Sequence, residues 1–151
     1  MLKWVFFALV FSSAAVYANP TENHVRIFYD ENGNLYNGKY YTYFDNGSYQ
    51  TDFTIVDGKI NGDAIFYYES GKVREVVRYV NGERHGAWVK YNESGHLISA
   101  ASFSHDKKDG TWIIYNDAGA KLFEMHYAND TKTGTWKQWD EKGNLVSVKS
   151  Y

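Results

Sequence analysis

With no cysteine among its 151 residues, this chain has histidines, serines and carboxylates as its first candidates for chemistry. That absence removes thiol nucleophiles and thiolate metal ligands together. His24, His85, His96, His105 and His126 lack the i, i+2 spacing on one strand that a metal site favours. They read as solvated loop or strand histidines, which the fold does not bring together. No serine sits in a Gly-x-Ser-x-Gly elbow, so no Ser/His/acid set is assigned. The recurring carboxylates fall in short turns, where acids cap backbone amides more often than they transfer protons. Asp30-Glu31-Asn32-Gly33-Asn34 has the outline of a calcium loop without its distal bidentate Glu. The expectation is a protein with no catalytic residue, no metal and no cofactor.

One constellation suits binding. Tyr40, Trp88, Trp112 and Trp136 stand in one sequence register, with Ala64 completing the column. If each repeat advances a sheet by roughly 10 Å, these rings lie beyond the 4.5–7 Å of direct aromatic pairing. They would then grip an extended chain, either a peptide strand or a glycan. The competing reading is that the sheet curls and the rings cover its concave groove as part of the core.

The elements that position this column follow from the glycines. Gly38, Gly62, Gly86, Gly110 and Gly134 recur every 24 residues. Gly47, Gly71, Gly95, Gly119 and Gly143 form a second column, and Gly58 and Gly82 begin a third that Asp106 and Asp130 continue. A fixed period of this size marks a repeat architecture. Each unit holds two runs rich in Tyr, Phe, Trp, Val and Ile around an acidic-x-Gly turn, from Asp45-Asn46-Gly47 to Glu141-Lys142-Gly143, which predicts a β-hairpin. A three-residue loop closed by glycine pairs unit position 6 (Tyr43, Tyr67, Tyr91, Tyr115, Trp139) with position 12. Position 6 is then expected on the core face with positions 12, 16 and 18, and the tryptophan column at position 3 on the opposite face. The predicted fold is all-β: repeated antiparallel hairpins in an elongated single-sheet meander or solenoid, preceded by a helical signal peptide.

The signal peptide is assigned to residues 1–18. Lys3 precedes an uncharged run from Trp4 to Val16, and Val16 and Ala18 put small residues at −3 and −1 of a cleavage site before Asn19. The run is too short to span a bilayer. A linker, 19–26, leads into one repeat domain, 27–151, with a degenerate half-unit at 27–37. The protein is expected to be secreted or periplasmic after cleavage. A formal net charge of −2 gives no electrostatic case for nucleic acid or for strong binding to anionic lipid.

Gly-x-Trp at the start of the unit, Tyr-x-x-x-Gly at its turn and Tyr-x-Asn-Gly-x-x-x-Gly at its exit resemble the MORN repeat, most clearly at Tyr79-Val80-Asn81-Gly82-Glu83-Arg84-His85-Gly86. More closely the chain is similar to the bacterial variant in YwqK-like antitoxin-type proteins. The resemblance implies a scaffold for a protein or lipid partner. Gly-Thr-Trp also resembles choline-binding cell-wall repeats, which keeps a glycan ligand as the alternative.

Overall fold

The computed structural model describes residues 17–20 and 25–151; the helical leader expected over residues 1–18 lies outside these except for Tyr17 and Ala18, and so does His24. Among the described residues every regular element is a strand. The strands β1 (Tyr17–Pro20) and β2 (Arg26–Tyr29) pair antiparallel in a small separate sheet. All the others belong to one long sheet: β3 (Gly38–Tyr43), β4 (Tyr49–Val56), β5 (Lys59–Ile60), β6 (Gly62–Tyr67), β7 (Val73–Val80), β8 (Glu83–Tyr91), β9 (Leu97–Ser104), β10 (Lys107–Lys108), β11 (Gly110–Tyr115), β12 (Lys121–Ala128), β13 (Thr131–Trp139) and β14 (Leu145–Ser150). Strands adjacent in the chain are adjacent in the sheet, with the short β5 and β10 beside β4 and β9. The repeat therefore folds as the antiparallel meander expected.

Each hairpin closes through the same two backbone bonds. The Phe44 N–H donates to the Ser48 carbonyl and the Gly47 N–H to the Phe44 carbonyl, both at 2.9 Å, with Gly47 at φ 83. That left-handed geometry is why glycine recurs there. The half-unit closes identically through Asp30, Gly33 and Asn34. The loop sets Tyr43 opposite Tyr49 and Tyr91 opposite Leu97, the pairing of positions 6 and 12 that the parity argument requires.

One residue further on, the register departs from expectation. Thr42 faces Thr51, leaving Gln50 as an extra residue, and Arg74, Ile98, Leu122 and Val146 occupy the same bulge in the later units. A single inserted residue moves everything beyond it to the other face. Position 6 is consequently not core-facing: Tyr43 and its partner Tyr49 are 49% and 47% exposed. Positions 16 and 18 instead share the inner face with position 3. Tyr40 lies opposite Phe53, Ala64 opposite Val77, Trp88 opposite Ala101 and Trp112 opposite Met125.

The second link in each unit is a two-residue turn with both residues at positive φ: Asp57-Gly58, Asn81-Gly82, His105-Asp106 and Asn129-Asp130. Such turns match the right-handed twist of the strands they join. Beyond the turn the pairing slips, Tyr79 facing Arg84 while Val77 faces Trp88. Gly86, at φ 104, lies inside that slip. The first glycine of the unit is thus a strand corner, distinct from the hairpin glycine.

The tightest packing is at the N-terminal end. Phe28, Phe53, Ile55 and Ala64 are buried together, with Tyr36, Tyr40, Ile60, Phe66 and Tyr79 against them. The half-unit docks here, the Phe28 N–H donating to the Gly58 carbonyl at 2.8 Å and the Gly58 N–H to the Tyr36 carbonyl at 2.9 Å. It closes the first unit as a cap closes a repeat stack.

Candidate functional site

Beyond the cap, the inner face carries a continuous aromatic ladder. Trp88 and Trp112 have ring centroids 5.7 Å apart, and Phe103 lies 6.4 Å from Trp88 and 5.2 Å from Trp112. The series continues from Trp112 to Tyr127 at 5.6 Å, to Trp136 at 5.2 Å and to Tyr151 at 4.9 Å. The expectation that one repeat holds these rings out of direct reach fails for Trp88 and Trp112, whereas Trp112 and Trp136 are joined through Tyr127. The position-18 ring on the intervening strand, Phe103 or Tyr127, bridges each interval between tryptophans, and at the first the two indoles also meet directly. Tyr40 belongs to the N-terminal core, 5.0 Å from Phe28.

The indole N–H groups are satisfied within the sheet. Trp88 donates to Glu75 Oε1 at 2.5 Å, Trp112 to the Ser102 carbonyl and Trp136 to the His126 carbonyl, both at 3.1 Å. What these residues offer a ligand is ring surface, much of it already against neighbours.

A second column lies above the rings. Arg84, Lys108 and Lys132 occupy one unit position, where the first unit has Ile60. The Arg84 guanidinium stands 4.1 Å from the Phe103 centroid. The Lys108 ammonium is 4.8 Å from Trp112 and 5.0 Å from Tyr127; that of Lys132 is 4.5 Å from Trp136 and 4.9 Å from Tyr151. Arg84 is neutralised by Asp106 at 2.7 Å, whereas Lys108 and Lys132 form no ion pair with a carboxylate among the described residues. At the end of the face, burial raises the Tyr151 phenol, but the Lys149 and Lys132 ammoniums outweigh it and bring the group below its ordinary value. The signal for this column was the same 24-residue spacing that revealed the glycines.

Within this face a cleft of about 440 Å³ is lined by Phe66, Val77, Tyr79, Phe103, Trp88 and Trp112, with Glu75 and Arg84 at its polar margin. Burial pushes the Tyr79 phenol up. A smaller hollow of about 290 Å³ lies further along, against Phe123, Met125, Trp136, Lys149 and Tyr151.

The histidines depart from the sequence reading. His85 and His105 meet edge to face at 4.7 Å, and Nδ1 of His85 is buried without a hydrogen-bond partner among the described residues. The two-residue turn carries His105 back against β8, the strand that enters its own unit, which sequence position alone does not reveal. Among the described residues no three His, Asp or Glu side chains cluster so as to hold a metal.

The turn acids also behave differently from expectation. Hairpin amides are capped by the residue before them: Asp30 Oδ1 accepts from the Asn32 and Asn34 N–H groups at 2.9 Å, and Asp140, Asn92 and Asn116 act likewise. Residues of the acidic column instead serve the neighbouring turn. The Ser48 hydroxyl donates to the Glu69 carbonyl at 3.0 Å, the Lys72 ammonium to the Glu93 carbonyl at 2.7 Å, and His96 Nδ1 to the Asp117 carbonyl at 2.7 Å. A carbonyl only accepts, so His96 carries its proton on Nδ1. Ala120 stands next in that column and ends the series.

No curated protein matches the sequence. Three stretches of the array, residues 60–81, 84–105 and 132–151, match the family model of the MORN repeat variant, each starting at the column of Ile60, Arg84 and Lys132.

Proposed function

We propose that this chain is an exported, non-catalytic repeat scaffold that holds a protein partner along its concave face. The observation that carries the reading is the contrast along that face. The half-unit seals the first unit over Phe28 and Phe53, while the following units leave a cleft of about 440 Å³ open between Phe66 and Trp112. An aromatic-lined concavity of this size is the usual form of a binding site, and the three MORN-type units support a binding array. The capping work of Asp30 and Asp140 supports a non-catalytic role, since their oxygens are engaged by turn amides. Lys3, the apolar run after it and the small residues Val16 and Ala18 support export to a secreted or periplasmic location. The resemblance to YwqK-like antitoxin-type proteins extends the reading to a partner that is silenced by being covered.

The glycan reading is the weaker one. Sugar binding by Tyr40, Trp88, Trp112 and Trp136 needs open ring faces. Tyr40 lies in the N-terminal core, and Trp112 is contacted by Trp88, Phe103, Tyr127 and Lys108.

The test is site-specific photo-crosslinking in the cell envelope. Probes at Lys90 and Gln138, on the inner face, are expected to capture one common partner; probes at Arg78 and Thr111, on the outer face, are not. Equal capture from both faces, or none from the inner one, overturns the proposal.

A further inference from the structure

Resting on that reading, we infer that the partner presents an acidic polypeptide segment with an apolar anchor side chain, the anchor entering the cleft and the carboxylates lying over Lys108 and Lys132. The chain is acidic as a whole, at −2, yet cations outnumber carboxylates on the inner face. Beyond the N-terminal cap, the strands of the inner face bring Arg84, Lys90, Lys108, Lys132 and Lys149 to one side, against Glu75 and the turn carboxylates Asp106 and Asp130, the last bound by the Lys108 backbone N–H. Glu75 accepts the Trp88 N–H, and Asp106 takes up Arg84. Lys108 and Lys132 are left as consecutive ammoniums fixed over aromatic rings without a carboxylate partner among the described residues. Cations held by ring contacts lose less freedom on binding an anion than free lysines do.

The hairpin rim points the same way. Asp45, Glu69, Glu93, Asp117 and Glu141 recur along it, one per turn. An acidic segment is repelled at this edge and attracted at the trough, which sets its position on the face. The apolar cleft distinguishes a polypeptide from other polyanions. Phe66, Val77, Tyr79 and Phe103 line it, and the Trp88 N–H beside it is already bound. A hydrophilic acidic glycan leaves that surface uncovered, and a flat bilayer does not enter a concave face.

The experiment measures binding of fluorescent twelve-residue peptides to the purified full chain by anisotropy. One peptide carries a leucine followed by alternating Glu and Ser; a second replaces each Glu with Gln; a third replaces each Glu with Lys. An oligogalacturonate and phosphatidylglycerol vesicles serve as the other polyanions. The acidic peptide is expected to bind at least about tenfold more tightly than the Gln peptide, with affinity falling as salt rises. Lys108→Glu with Lys132→Glu should remove that preference and favour the Lys peptide, while Lys142→Glu on the hairpin rim leaves it in place. Lys108→Met with Lys132→Met keeps apolar length over the rings, and should also lose about tenfold if charge is the cause.

Equal binding of the Glu and Gln peptides overturns the acidic inference and leaves the protein-binding reading standing. Tighter binding of the oligogalacturonate or the vesicles overturns the polypeptide. If no peptide binds while inner-face crosslinks still capture a partner, the inference fails alone. If those crosslinks are absent too, both fail.

Discussion

Asp106 reaches back one unit to Arg84, its Oδ1 accepting from the Arg84 backbone N–H at 3.1 Å and from Nε at 2.7 Å. Asp130 makes the same backbone contact to Lys108 at 2.8 Å. Both aspartates stand where the earlier turns have Gly58 and Gly82, and both keep positive φ, 65° and 66°. The loss of glycine in the later units is thus an exchange: some backbone strain is accepted and a hydrogen bond between adjacent units is gained.

Asp106→Ala should therefore cost more than Asp106→Gly. Alanine retains the left-handed strain, about 1–2 kcal/mol, and loses the carboxylate; glycine loses only the carboxylate. The ion pair is exposed, with side chains 38% and 43% accessible, so its share is about 0.2–1 kcal/mol. Urea unfolding of the two variants gives the order directly. A larger loss for glycine would show that the backbone tolerates the turn without strain.

The reverse exchange should fail. At Gly82 an added Cβ would lie 2.5 Å from Val25 Cγ1, so the N-terminal segment occupies the space that Asp106 fills in its own unit. Gly82→Asp is expected to destabilise by about 2–3 kcal/mol, combining left-handed strain with overpacking. Gly71→Ala, at φ 81 with open space around it, should show the strain alone. Comparable unfolding midpoints for the two variants would remove Val25 from the explanation.

The period, the hairpins and the pairing of positions 6 and 12 were legible because each depends on local turn chemistry that repeats five times. Which face carries the core was not. It turns on the bulge residue at position 13, where Ile98, Leu122 and Val146 look as apolar as Leu97 beside them. A bulge needs no distinctive side chain, and one residue of slip exchanges the two faces. The position-3 rings were identified, but on the wrong face. The Arg84, Lys108 and Lys132 column was visible in the spacing and becomes meaningful only when the fold puts it over those rings. The His85–His105 contact depends on a chain reversal, and nothing in its spacing announced it.

Asp140 should titrate below its ordinary value of 3.8, because the Asn144 side chain and N–H, with the Lys142 N–H, hydrogen-bond the ionised form. A carboxyl lowered in the folded state stabilises above its unfolded value and loses that contribution as pH falls through the folded one. Asp140→Ala should therefore destabilise the protein at pH 7 and become nearly neutral once both states are protonated. Carboxyl NMR should show the group returning toward its ordinary value in Asn144→Ala. An unmoved titration would exclude Asn144 as its main support.

Lys72 and Ala120 occupy the same unit position on the hairpin rim. The Lys72 ammonium bonds the Glu93 carbonyl at 2.7 Å, and Ala120 has no group to offer the following turn. Lys72→Ala should cost about 0.5–1 kcal/mol, and Ala120→Lys should gain a few tenths once side-chain ordering is counted. Amide exchange around residues 116–119 and 140–143 tests the second change, since a linked rim slows opening of both turns together. Unchanged exchange there would mean that the rim bonds do not couple adjacent units.

Trp112 separates the two readings of the aromatic column by its effect on folding. Its ring meets Trp88, Phe103 and Tyr127 and lies under Lys108, while its N–H holds the Ser102 carbonyl across to β9. A tryptophan kept only for a ligand can be removed with little loss of stability. One placed like this leaves a gap in a sheet with little other core, and Trp112→Ala should destabilise by about 2–4 kcal/mol. Trp112→Phe keeps most of the ring contact and loses the N–H, so it should cost about half as much. Loss of binding in the alanine variant is therefore uninformative unless folding is measured beside it, and the Lys108 and Lys132 variants are the cleaner probes of recognition. Full stability of Trp112→Ala would return the column to a ligand-facing role and reopen the glycan reading.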